Sequence, residues 1–211
     1  MEVKAFAFNP FSENTILVFD ETKEAVLFDP GCWDDGEKAV LAEFVEKNGL
    51  KITRLINTHC HLDHVFGNRW VSERWKIALE AHRLEVPVLA SFERVCQMYG
   101  IPVTSSQPEI GRFIEDGDLI LFGKTTLRAI LAPGHSPGSL CFFEEKEAVL
   151  IGGDVLFLES IGRTDLPGGH HETLLESIRT RLFTLPGETL VYPGHGPTTT
   201  IRHEIEYNPF L

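Results

Sequence analysis

Positive charge is scarce in this chain: 19 lysines and arginines face 31 aspartates and glutamates, giving a net charge of −12. Such a balance leaves no basic face for a phosphate backbone, so nucleic acid is excluded as a partner. An anionic substrate stays open, because a bound metal pair would be the largest local charge in its own pocket. No apolar run approaches bilayer-spanning length, and no membrane association is expected. The opening MEVKAFAFNP lacks the apolar core and small-residue cleavage pattern of a secretory signal, so the cytoplasm is the expected compartment. No CxxC pair occurs; Cys32, Cys60, Cys96 and Cys141 are widely spaced and read as free thiols. Low-complexity tracts and long linkers are missing too, which leaves residues 1–211 as one domain.

What remains is an ordinary globular composition, 43% hydrophobic, arranged in short apolar runs. VKAFAF, NTILVF and EAVLFDPG read as strands, the last stopped by Pro30-Gly31. Asp34-Asp35 caps a helix through GEKAVLAEFVEKNG, with Val40, Leu41, Phe44 and Val45 at helical spacing. KITRLIN is again a strand. From Asn68 to Val103 the pattern is mixed: WVSERWKIALEAH fits a helix, and a proline-punctuated stretch follows. DLILFGK, TTLRAILAPG, SLCFFEE, EAVLIGGD and TLVYPG are β-patterned, HETLLESIRTRLFTL is amphipathic, and TIRHEIEYNP makes a short closing helix. Strands and helices alternate in both halves, and the strands are apolar enough to be covered on both faces. The expected fold class is a layered α/β sandwich.

Histidine is what stands out. His59, His61 and His64 follow KITRLIN, His135 follows TTLRAILAPG, and His195 follows TLVYPG. Asp154 follows EAVLIGG in the same way. Loops beyond rigid strand ends are where α/β scaffolds gather ligands. In an extended stretch His59 and His61 point the same way, so both can chelate one cation. Asp63 and His64 come where the chain turns, and can reach a second. His135 and His195 complete the nitrogens, and Asp154 is placed to bridge. A strand end crowded with titratable groups costs desolvation, which metal binding would compensate. Imidazole with carboxylate suits zinc, the expected ion, or iron(II) or manganese. A lone histidine is ordinarily a turn residue, and His82, His170, His171 and His203 are read that way. Arg163 and Asp165 in IGRTDLPGG read as a pair stiffening a glycine-rich turn, Arg163 being also the candidate to meet a substrate carboxylate. Asn14, Ser136 and Tyr192 read as supporting residues near the site.

THCHLDH, PGHSPG, GGD and PGHG, in that order, resemble the metallo-β-lactamase superfamily, and within it the short bacterial form of the glyoxalase II group, the hydroxyacylglutathione hydrolases. SENTILVFD, FDPG, IGRTDLPGG and EYNPF extend the resemblance over nearly the whole chain. It implies an αββα sandwich with two divalent ions per chain. One would be held by His59, His61 and His135, the other by Asp63, His64 and His195, with Asp154 bridging. It implies a small thioester substrate such as S-lactoylglutathione, attacked by a metal-activated hydroxide that Asp63 orients. Persulfide dioxygenases, with one Fe(II), share H-x-H-x-D-H and the GRTD loop and are the alternative. Full-length glyoxalase II enzymes carry a C-terminal helical extension that contacts glutathione. Here 16 residues follow His195, so that surface is expected to be absent or replaced.

Overall fold

The β-branched and aromatic runs that open the chain pair as an antiparallel meander of β1 (Glu2–Phe8), β2 (Glu13–Phe19) and β3 (Glu24–Phe28). The computed structural model describes residues 1–103 and 105–211. β3 pairs in parallel with β4 (Lys51–Ile56), followed by β5 (Leu79–Ala81) and β6 (Ile110–Phe113). The crossover to β4 runs through α1 (Asp35–Lys47), where the Asp34 carboxylate accepts the Glu37 N–H at 2.8 Å as an N-cap. α1 buries Leu41, Ala42 and Val45. Val40, expected on that face, is 51% exposed, because one residue along a helix is a rotation of about 100°.

The helix expected through WVSERWKIALEAH stops early. α2 (Leu62–Val65) and α3 (Asn68–Trp75) come first, and Lys76 then turns left-handed at φ 57°. Ala78–Ala81 enters β5 instead of a further helical turn. Alanine, leucine and glutamate favour a helix in isolation, but pairing of Leu79 with Leu55 and Glu80 with Ile56 overrides that preference. Arg54 fixes the register, donating both guanidinium arms to buried Glu80. The chain continues through α4 (Val86–Ala90) and α5 (Phe92–Met98) to β6.

The second sheet repeats the logic. β7 (Leu119–Phe122), β8 (Thr125–Leu131), β9 (Leu140–Glu144) and β10 (Val149–Gly153) are antiparallel neighbours. A small hairpin, β11 (Leu156–Phe157) and β12 (Ser160–Ile161), precedes α6 (His171–Ser177), which continues as a π turn over Ile178–Leu182. β13 (Leu190–Pro193) returns parallel to β10, β14 (Thr199–Thr200) closes the edge, and α7 (Ile201–Tyr207) follows.

Among the described residues this gives two six-stranded sheets packed face to face. Val18, Val26, Phe28 and Ile56 of the first meet Phe122, Leu127, Phe142 and Ile151 of the second. α1 covers the first sheet from outside through Leu41 and Val45, and α6 and α7 cover the second through Leu174 and Ile201. The layers are αββα, as the family resemblance implied. Two backbone hydrogen bonds tie the sheets together at one edge: Asn14 N–H to Gly194 O (2.7 Å) and Leu140 N–H to Thr58 O (2.8 Å). β3, β4, β8, β10 and β13 all end there.

Candidate metal centre

The loop after β4 is held open by its own polar residues. The Asn57 amide donates to the His64 carbonyl at 3.1 Å, while its oxygen accepts from Asn68 at 2.8 Å. His59 lies in the extended stretch after β4, and Asp63 and His64 sit in the single turn of α2. Glycine brings the other loops in. Gly134 has φ +131°, and a Cβ there would lie 2.3 Å from the Leu174 backbone nitrogen; its turn delivers His135. A Cβ on Gly194 would stand 2.1 Å from Asp154 Oδ1, so only glycine lets the His195 loop pass this close.

All seven predicted residues converge. His59 Nε2 and His61 Nδ1 lie 3.2 and 2.8 Å from His135 Nε2. His195 Nε2 lies 3.3 Å from His64 Nε2 and 3.1 Å from Asp63 Oδ2. Asp154 stands between the groups, Oδ2 at 3.6 Å from both His135 Nε2 and His195 Nε2, and Oδ1 at 3.5 Å from His64 Nε2. Four of the five imidazoles give their other nitrogen to the protein. His135 Nδ1–H donates to the Arg163 carbonyl (2.7 Å) and His195 Nδ1–H to the Phe11 carbonyl (3.1 Å). His64 Nδ1–H donates to Asp29 (3.1 Å), and His59 Nδ1–H to the Thr58 hydroxyl (3.1 Å), which itself donates to Asp29. Carbonyl and carboxylate oxygens accept only, so in the neutral ring each of these Nε2 atoms presents a lone pair inward.

The electrostatics divide the two groups, lowering His59, His61 and His135 and raising His64 and His195. Burial, and then the surrounding imidazoles, hold His59 well below the ordinary histidine value. The same two influences lower His61 to about 3, and burial lowers His135. Neutral imidazoles are metal donors. His64 shifts upward, because Asp154 and Asp63 outweigh the burial that opposes its charge. Asp154 Oδ1 is buried with no hydrogen-bond partner, an expensive state for an ionised carboxylate. Two donor groups, His59-His61-His135 and Asp63-His64-His195, each with ligand atoms within 4.8 Å of one another, therefore fit divalent cations, with the orphaned oxygen of Asp154 between them.

Several supports gave no sequence signal. Asp29 and Glu85 are buried carboxylates under the loops. Glu85 accepts from Cys60 N–H (2.8 Å), Gly138 N–H (2.7 Å) and the Ser136 hydroxyl (2.6 Å), locking the first histidine loop to the His135 loop. Asn14 donates to the Pro193 and Gly196 carbonyls at 3.0 and 2.9 Å, flanking His195. Tyr192 packs into the core between the sheets. Arg163 pairs with Asp165 through two 2.7 Å hydrogen bonds, so its guanidinium is already engaged. The remaining histidines behave as turn and surface residues: His82 and His170 cap short helices, His203 pairs with Glu159 and His171 is exposed. All four cysteines are free and buried. A cavity of about 720 Å³ opens over the centre, walled by Phe11, Phe92, Tyr99, Phe157 and Ile161.

The sequence model of the metallo-beta-lactamase superfamily matches residues 8–195, which spans every residue of the centre. The chain belongs to the metallo-beta-lactamase superfamily. Among curated members it is 37% identical to the probable metallo-hydrolase YqgX of Bacillus subtilis, over 100% of this chain and 98% of that protein. It is 32% identical to the hydroxyacylglutathione hydrolase GloC of Haemophilus influenzae, over 100% and 98%. Human persulfide dioxygenase ETHE1 is 33% identical over 93% of this chain and 70% of its own length. Two solved structures superpose closely. The BLEG-1 B3 metallo-beta-lactamase has a TM-score of 0.89, 37% identity and coverage of 100% and 99%. The di-iron-bound form of TTHA1623 has a TM-score of 0.87, 35% identity and coverage of 99% and 100%. No described helix is long and apolar enough to cross a membrane.

Proposed function

We propose that the protein is a binuclear metal-dependent hydrolase acting on a hydroxyacylglutathione thioester such as S-lactoylglutathione. One observation carries the two-ion part: an unpartnered, buried Asp154 oxygen between two complete donor groups. His59, His61 and His135 would hold one cation and Asp63, His64 and His195 the other, with Asp154 shared. Bound there, divalent cations make water nucleophilic near neutral pH and polarise an acyl oxygen. The chain supplies the rest. The Asp63 carboxylate, partly open to the cavity, accepts a hydrogen bond from the attacking water and fixes its direction. The apolar walls exclude bulk water and hold the acyl carbon over the centre. The departing thiol titrates near about 8.5, so it leaves without a dedicated proton donor. The likeness to GloC along the whole chain supports the thioester class.

The likeness to persulfide dioxygenase ETHE1 over 93% of this chain supports a second reading, a mononuclear iron oxygenase. Elemental analysis of protein purified without added metal, with an S-lactoylglutathione assay on the same sample, separates them. Two ions per chain with hydrolysis is the expected outcome. One iron with persulfide-dependent oxygen uptake would overturn it.

A further inference from the structure

The cavity over the centre is lined by four charged groups besides the histidines. Asp63 and Asp154 belong to the donor groups, and the guanidinium of Arg163 is taken by Asp165. The fourth is Arg94, on α5 among the apolar side chains Pro87, Val88 and Val95 of the wall. Arg94 makes no ion pair or hydrogen bond among the described residues, although the chain carries a surplus of 12 negative charges to offer it. A lone guanidinium in a concave, largely apolar wall is a fork for a carboxylate.

We infer that Arg94 is the specificity-determining residue of this cavity, and that the accepted thioester bears a carboxylate that pairs with it. The inference rests on the thioester-hydrolase reading and narrows it. Apart from the histidines, Arg94 is the one unpaired cationic side chain lining the cavity among the described residues, and its fork matches one carboxylate. That charge can sit on the acyl or on the thiol half. Arg94 is not among the seven donors, so its loss is expected to act chiefly on KM.

The test compares the metal-loaded wild type with Arg94→Gln and Arg94→Lys. Substrates are S-lactoylglutathione, its bis-amide, and the hemisuccinyl thioester of a neutral thiol. Arg94→Gln is expected to raise KM about tenfold for the carboxylate-bearing esters that turn over, with Arg94→Lys in between, and to narrow the preference for acid over amide accordingly. Which acid ester responds tells the thiol half from the acyl half. Calorimetry with S-methylglutathione, which cannot be hydrolysed, and with succinate gives a readout free of turnover. Tighter, salt-sensitive binding of either probe to wild type than to Arg94→Gln upholds the inference, even where no ester is cleaved and the hydrolase reading falls. Equal binding of both probes by the two proteins overturns it, whatever the assay shows.

Discussion

Asp29 Oδ2 lies 3.1 Å from His64 Nδ1, and the same oxygen accepts the Thr58 hydroxyl that faces His59 Nδ1. One buried carboxylate thus orients two imidazoles, one from each donor group. Asp29→Asn keeps the shape and removes the charge that fixes both tautomers. Metal affinity is expected to fall about 10–100-fold, with little change in the melting temperature of the metal-free protein. Competition with a chromophoric chelator measures it, and unchanged affinity would assign Asp29 to packing alone.

Asp154 is approached by both groups at 3.5–3.6 Å. Asp154→Ala is expected to lose at least one ion per chain and to fall to background turnover. Plasma emission on the purified variant reads the first, and the thioester assay the second. Full metal content with full turnover contradicts a bridging role.

Asp20 ties the two sheets away from the centre. Its carboxylate accepts from Thr22 N–H (2.9 Å), Lys124 N–H (2.7 Å) and the Thr125 hydroxyl (3.1 Å), linking the end of β2 to the β7–β8 turn. Burial opposes its ionisation, but hydrogen bonds from Thr22, Lys124 and Thr125 outweigh that and lower it from 3.8 to about 2. A depressed carboxyl stabilises the fold above its unfolded value, and the contribution fades as pH falls from about 4 towards about 2. Asp20→Asn should therefore cost about 2 kcal/mol at pH 7, and the gap to wild type should close through that acidic window. Urea midpoints across pH test it; a gap that does not vary with pH means the shift is absent.

Gly134→Ala combines a left-handed backbone with a clash on the α6 backbone. A loss of about 3 kcal/mol is expected, or roughly 6–12 °C in melting temperature for a chain of this size. Because this turn carries His135, chelator competition should weaken in parallel. A variant with native stability would mean that α6 can give way.

The centre was readable because its signal is local: H-x-H-x-D-H needs no knowledge of the fold to look like a chelator, and the glycine-flanked loops point to the rest. The principal strands were readable from their apolar runs. β5 was not, since three residues of mixed preference become a strand only when β4 lies beside them. Asp29 and Glu85 were equally silent. A single carboxylate in sequence looks like surface, and only tertiary packing shows that each is buried against backbone and hydroxyl donors. Arg94 is the reverse case: an exposed helical arginine acquires meaning from the cavity it faces.

Each donor group draws two side chains from the first half of the chain and one from the second. A bound cation would therefore rivet the half-sandwiches to each other. If the polypeptide were cleaved between β6 and β7, each fragment would hold only a fraction of every coordination sphere. Chelators should then promote dissociation of the pair, and divalent ions should drive its reassembly.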